Sequence, residues 1–151
     1  MMSEPISPTV AIRVFRIEDY DAILPLWKES KLPCKPRGRD SRANLQKQLG
    51  QTMVRFFVAE REGKVIGTVL ASHDGRKGWI NRLAVAKEIL RRGVAKRLMQ
   101  EAETWLGQEG IDIIACLVED DNEPSIRFFL ETGYTRYADI IYFSKRKKAT
   151  T

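Results

Sequence analysis

The sequence predicts one α/β domain of the α+β kind: a mixed, mostly antiparallel central sheet of about six to seven strands flanked by four helices. Two observations carry this. Three strand patterns follow one another through residues 54–85 with only short turns between them, as antiparallel neighbours do. A strand, a glycine turn, a long amphipathic stretch and a second apolar run then succeed each other over residues 80–118, which is the pattern of a parallel strand-helix-strand crossover.

At 151 residues and 43% hydrophobic, the chain is long enough for one well-buried core and too short for two full domains. The expected organisation is a flexible leader at 1–9, a single domain at 10–144 and a basic polar tail at 145–151. No apolar run approaches the roughly 18 residues that span a bilayer. The N-terminus MMSEPISPTVAIRV has no hydrophobic signal core, so the expected location is cytoplasmic.

Residues 10–15 (VAIRVF) are rich in β-branched side chains and read as the first strand. Acidic residues Glu18, Asp19 and Asp21 then precede Ala22, Ile23, Leu26 and Trp27, whose spacing suits one face of a helix. Pro25 leaves the start of that helix open, because proline fits only a first turn or a kink. Residues 31–40 (KLPCKPRGRD) combine two prolines, a glycine and four basic side chains into a loop. Asp40 or Ser41 can cap a second helix through Leu45 and Leu49.

The strand patterns 54–60 (VRFFVAE) and 64–72 (KVIGTVLAS) flank Arg61-Glu62-Gly63, a hairpin turn. A second turn at 74–78 leads into residues 80–85 (INRLAV). Beyond Arg91-Arg92-Gly93, the residues Val94, Leu98, Ala102, Trp105 and Leu106 recur at helical spacing. Residues 111–118 (IDIIACLV) read as a strand covered on both faces. Asn122 or Ser125 can cap a short helix closed by Gly133, and residues 134–143 hold strand-forming side chains.

The start of the helix after Gly93 is a candidate anion site. Its first backbone N–H groups lack internal partners and carry partial positive charge, Gly93 allows close approach, and Arg91, Arg92, Lys96 and Arg97 add cations. An ordinary βα turn with a solvated basic face has the same appearance in isolation. The net charge of +6 favours anionic partners, whether nucleotide phosphates, nucleic acid or acidic substrates. Cys34, Cys116 and the single His73 have no metal-ligand spacing, and Cys116 inside IIACLV reads as a small core residue.

Three local matches now combine: the strand Leu83-Ala84-Val85, the turn Leu90-Arg91-Arg92-Gly93-Val94-Ala95, and Asn122-x-x-Ser125-x-x-Phe128-Phe129-x-x-x-Gly133-Tyr134. With the element order they make residues 10–143 resemble the GNAT superfamily of acetyl-CoA-dependent N-acetyltransferases. The resemblance implies acetyl-CoA as cofactor, in a slot between the strand 79–86 and the strand 111–118. The backbone of Leu83, Ala84 and Val85 would pair with the pantetheine arm, and Arg91, Arg92, Gly93, Val94, Ala95 and Lys96 would cradle the pyrophosphate. Asn122, Ser125 and Phe129 would border the reacting end. Two positions depart from the pattern: Leu90 stands at an arginine or glutamine position, and Phe129 stands where many members have a proton-donating tyrosine.

Acetyl transfer to an amine needs a neutral nucleophile, donors for the developing oxyanion and a way to discharge the thiolate. The implied oxyanion donors are the backbone N–H groups of Leu83 and Val85. Glu119 is the candidate base, Asn81 could hold a water, and Tyr134, Tyr137 or Tyr142 could replace the acid that Phe129 lacks. Lys35, Arg37, Arg39 and Asn81 are candidate acceptor-binding residues, suggesting a carboxylate-bearing acceptor. The reading is an N-acetyltransferase acting on a primary amine of a small molecule or a peptide or protein N-terminus, by direct attack in a ternary complex. The alternatives are an acyl-CoA sensor on the same fold and a basic nucleic-acid-binding module. A homodimer stays open; a membrane partner is not expected, and nucleic acid is disfavoured.

Overall fold

Five strands share one mixed sheet: β1 (Ala11–Val14), β2 (Val54–Arg61), β3 (Lys64–His73), β4 (Lys77–Val85) and β5 (Ile113–Cys116), in that spatial order. The computed structural model describes residues 9–89 and 93–148, so most of the expected leader, the turn residues Leu90, Arg91 and Arg92, and the last three residues of the tail lie outside the described residues. β1 to β4 are antiparallel neighbours, and β4 pairs with β5 in parallel. The β2–β3 hairpin closes through Glu62 and Gly63 at φ 52° and 77°, a two-residue turn whose hand matches the strand twist.

Four helices flank the sheet: α1 (Tyr20–Glu29), α2 (Arg42–Leu49), α3 (Val94–Gln108) and α4 (Glu123–Glu131). α1 runs through Pro25 without ending, so the boundary left open by the sequence falls after a 3-10 turn at Ile17–Asp19. Ser41 rather than Asp40 caps α2, its hydroxyl accepting from the Asn44 N–H at 3.2 Å. Among the described residues, no helix is long and apolar enough to cross a membrane.

Consecutive strand residues point to opposite faces, and Gly67 and Thr68 of β3 show which helix covers which. Thr68 accepts a hydrogen bond from the Trp27 indole of α1 at 3.0 Å. A Cβ at Gly67 would lie 3.0 Å from a Leu98 methyl of α3. α1 and α3 therefore sandwich the sheet. Phe15, Phe56 and Trp27 stack on the α1 side, with ring centroids 4.4 and 6.1 Å apart. Val94, Leu98, Met99, Ala102, Trp105 and Leu106 are buried along α3, as their spacing predicts.

Two expectations need correction. The described residues form five strands rather than six or seven, because residues 134–143 join no ladder despite their strand-forming side chains; residues 135–148 are exposed. β-propensity expresses fit to a neighbouring strand, and this stretch has none within the described chain. β5 is also not covered on both faces: Ile113 is 59% exposed.

The Arg13 guanidinium grips Asp19 at 2.8 and 2.9 Å and Glu60 at 3.1 Å, tying β1, the first helical turn and β2 together. Hydrogen bonds from Arg13 and from the Arg16 N–H hold the Asp19 carboxyl below its ordinary pKa, against the opposing effect of burial. Its contribution is therefore present above the unfolded value of about 3.9 and is lost as pH falls through the lower folded value. Asp19→Asn should flatten the acid limb of a stability-versus-pH curve below about pH 4. Leu98→Ala should cost about 2–5 kcal/mol in urea unfolding, because it opens a cavity between α3 and Gly67.

Candidate functional site

β4 and β5 pair only from Lys77↔Ile113 to Ile80↔Cys116 and then separate. A cleft of about 850 Å³ opens at the fork. Its walls are Asn81, Arg82 and Leu83 of β4, residues 116–120 after β5, and Asn122, Ser125 and Phe129 of α4. Lys31, Leu32, Pro33, Lys35, Arg39 and Asp40 close the opposite side.

The fork coincides with a β-bulge. Leu70 opposes Asn81 and Thr68 opposes Ala84, so Arg82 and Leu83 together face Val69 alone. Arg82 takes φ 55°, a left-handed conformation that a side chain disfavours. The Ala86 N–H donates to Ile66 at 2.8 Å, towards β3. Alternation then turns the N–H groups of Leu83 and Val85 to the opposite edge, which faces the fork.

The strained residue is held at both ends. Its carbonyl accepts from the Thr68 hydroxyl at 2.7 Å, and that hydroxyl accepts from Trp27. Its guanidinium donates to both Asp40 carboxylate oxygens at 3.0 Å and to the Pro33 carbonyl, and lies 4.6 Å from the centre of the Trp27 ring. Asp40, 6% exposed, also accepts from the Lys35 N–H at 2.8 Å, and its carbonyl accepts from the Tyr20 hydroxyl. The basic loop is thus fastened to the bulge through a partly buried ion pair, and Asp40 also accepts from Arg39 Nε at 3.4 Å. Sequence reasoning missed this pair, taking Asp40 only as a helix cap; an arginine inside the apolar run INRLAV was the available signal.

At the other end of the fork, α3 starts from Gly93 at φ 77°. Among the described residues, a Cβ there would meet nothing within 4 Å. The Arg97 N–H makes a helical bond to the Gly93 carbonyl, and the N–H groups of Val94, Ala95 and Lys96 precede it at the helix start, where no intrahelical partner exists. The Asn122 side chain caps α4 by accepting from the Ser125 N–H at 3.3 Å, and both residues border the cleft. These features fit an extended ligand carrying phosphate at one end, the demand that coenzyme A makes.

Among the candidate catalytic residues, Glu119 lies exposed on the cleft wall. Phe129 is buried there, edge-on to Phe128 and Tyr134 at 5.3 and 5.2 Å. The Tyr134 hydroxyl turns instead to α3, donating to Glu103 at 2.6 Å. Burial, the bond to Glu103 and its negative charge all raise the Tyr134 pKa. Of the three tyrosines considered from sequence, Tyr142 borders the cleft. Cys116 also borders it, its thiol pushed up to about 11 by burial. Lys35 and Arg39 line the loop side with Asn81 opposite, whereas Arg37 lies outside the lining. Among the described residues, no group of three His, Cys, Asp or Glu side chains could hold a metal ion.

A sequence profile of the acetyltransferase (GNAT) family matches residues 20–134. Solved structures share the fold. The PaiA N-acetyltransferase of Thermoplasma acidophilum, in complex with coenzyme A, is 19% identical over 84% of this chain and 90% of that one, with a TM-score of 0.73. Aminoglycoside N-acetyltransferase AAC(6')-Iy in complex with CoA is 20% identical over 95% and 99% of the two chains, with a TM-score of 0.75. An aminoglycoside acetyltransferase from an uncultured soil metagenomic sample, in complex with sisomicin, is 20% identical over 92% and 97%, with a TM-score of 0.73.

Removing one member of the buried pair strands the other. Asp40→Ala should destabilise the protein by about 3–5 kcal/mol in denaturant unfolding. It should also raise hydrogen exchange at Lys35, whose N–H loses its acceptor.

Proposed function

The chain belongs to the acetyltransferase (GNAT) family, an N-acetyltransferase that uses acetyl-CoA, and we propose that it acetylates a primary amine on a carboxylate-bearing small molecule or a peptide or protein N-terminus. The observation that carries this reading is the fork itself: β4 parts from β5 beyond Ile80, and the cleft that opens there is lined by the unpaired β4 residues, the start of α4 and a cationic loop. Residues 10–144 form the catalytic domain. A cytoplasmic location fits the need for acetyl-CoA, and the exposed apolar C-terminal segment favours a homodimer.

Acetyl-CoA supplies an acetyl group activated as a thioester. The backbone of residues 83–85 binds the pantetheine arm, and residues 91–96 bind the pyrophosphate, with Arg91, Arg92 and Lys96 adding charge to the N–H groups of α3. Asn122 and Ser125 border the reacting end. The N–H groups of Leu83 and Val85 donate to the carbonyl oxygen as it gains charge under attack by the amine. Glu119, through a water held by Asn81, takes the proton from the amine. Tyr142 returns a proton to the departing sulfur, which the Phe129 ring has no group to do. Tyr134, held by Glu103, packs Phe129 in place.

The loop sets the acceptor. Lys31, Lys35 and Arg39 line the cleft together with Glu119 and Asp120. Among the described residues, neither Lys31 nor Lys35 pairs with a carboxylate. A molecule with a carboxylate near its amine matches both walls, whereas a polycation such as an aminoglycoside meets repulsion at the loop.

The test combines acetyl-CoA binding with thiol release across a panel of amines. Acetyl-CoA alone should raise the melting temperature, and carboxylate-bearing amines should release thiol fastest; no shift at saturating acetyl-CoA would refute the reading. Thermal stabilisation with no thiol release from any acceptor would point to the acyl-CoA sensor instead. Lys35→Ala with Arg39→Ala should raise the KM for a carboxylate-bearing amine about tenfold or more and leave that for acetyl-CoA unchanged. Tyr142→Phe should lower kcat about 10²-fold, and Phe129→Tyr in that background should restore part of it.

A further inference from the structure

Among the described residues the buried polar side chains are Asp19, Asp40 and Thr68, and Thr68 alone is wholly buried, at 0% exposure. The two carboxylates sit in ion pairs. Thr68 stands in the apolar middle of β3, where a valine would fill the same space and suit the strand equally. A hydroxyl there costs stability unless it is bonded, so its bonds show what it does.

Those bonds are directional. An indole N–H can only donate, so Trp27 takes a lone pair of the Thr68 oxygen at 3.0 Å and leaves the hydroxyl proton for the Arg82 carbonyl at 2.7 Å. That carbonyl shares one planar trans peptide unit with the Leu83 N–H, which therefore points the opposite way. In a regular ladder the backbone of the neighbouring strand would fix such a unit. Arg82 and Leu83 have no partner residue of their own in the β3 register, so a side chain of β3 takes over that role.

The rest of the stretch is held in the same sense. A Cβ at Gly67 would lie 3.2 Å from the Ala84 carbonyl oxygen, so that carbonyl lies against β3 and the Val85 N–H of the same peptide unit points away from it. Where the strand ends, the Lys87 N–H donates to the Glu29 carboxylate at 2.8 Å. α1 thus holds residues 82–87 at both ends, Trp27 through Thr68 at one and Glu29 at the other.

We propose that Thr68 is a positioning residue for acetyl transfer: its hydroxyl, oriented by Trp27, turns the peptide unit of residues 82 and 83 so that the Leu83 N–H meets the thioester oxygen in the fork. This rests on the reading of Leu83 as an oxyanion donor. Thr68 does not itself line the cleft and acts through the backbone. A donor aimed before charge develops needs no reorganisation during the reaction. Without the hydroxyl, Arg82 at φ 55° is released towards the conformations a side chain favours, and the Leu83 N–H swings with it.

Three variants and two measurements test this. Thr68→Val, which keeps the shape and removes both bonds, should lower kcat about 10²-fold while the KM for acetyl-CoA stays within about twofold. Thr68→Ser, which keeps the hydroxyl, should return kcat to within about threefold of the native value. Thr68→Cys carries a weak donor in the same place and should show the same split at about tenfold, so it serves if Thr68→Val does not fold. Amide NMR supplies a readout without turnover: saturating acetyl-CoA should move the Leu83 N–H proton downfield in the native and Ser forms, and much less in the Val or Cys form. An unchanged kcat and an unchanged Leu83 shift in Thr68→Val or Thr68→Cys would overturn the proposal and leave the acetyltransferase reading standing. A kcat loss that Thr68→Ser fails to recover would make the role merely structural and would also overturn it. A Leu83 amide that acetyl-CoA does not move in the native protein would remove Leu83 as donor and Thr68 with it. No thiol release from any amine would instead refute acetyl transfer, with the Leu83 shift in the variants still deciding what Thr68 positions.

Discussion

The ion pair between Arg82 and Asp40 is the constraint on which the site depends. Arg82 occupies the extra position of the β4 bulge in a left-handed conformation, a state that costs of order 1–3 kcal/mol for a residue with a side chain. It persists because its carbonyl is bound by Thr68 and its guanidinium by Asp40, Pro33 and the face of Trp27. Those partners come from three parts of the fold: β3, α1 and the basic loop. The bulge is therefore fixed by the packed domain around it, and a rotation at Arg82 would strand a buried carboxylate.

On the proposed reading the site divides into two halves with different physics. The donor half would rest on backbone: the β4 edge beyond the fork, the first N–H groups of α3 and the capped start of α4. The acceptor half would rest on charge carried by a loop with little regular structure of its own. Asp40 joins the halves, since it pins Arg82 at the bulge while its carboxylate also accepts from the Lys35 N–H. The loop is consequently held in register with the fork even though its basic side chains remain exposed or half-exposed.

This division explains what could be read from the residues alone. The helices of the α3 and α4 regions, the hairpin at Glu62-Gly63 and the glycine turn are local events, signalled by caps, periodicity and a positive φ. As elements of the fold they were legible. The Arg82–Asp40 pair joins residues 42 apart, and neither residue type announces a partner at that distance. Tyr134 was one of three tyrosines that could replace the acid Phe129 lacks, but only the packed structure shows its hydroxyl bound to Glu103, 31 residues away. Residues 134–143 failed for the opposite reason: their local preference for a strand is plain, but a strand exists only when another accepts its hydrogen bonds.

The fork, the start of α3 and the outer edge of β5 share one origin. Each is a place where regular structure stops satisfying its own backbone, and each lies at or beside the parallel β4–β5 pair. A parallel strand reached through a crossover helix necessarily creates a helix start beside the strand that precedes it. Splaying such a pair after four residues exposes donors on β4, and placing the second strand last in the order exposes donors on β5. One topological choice therefore provides the ligand slot and an open sheet edge together. The first presents backbone donors to an extended ligand, and the second is the outer edge of the sheet among the described residues.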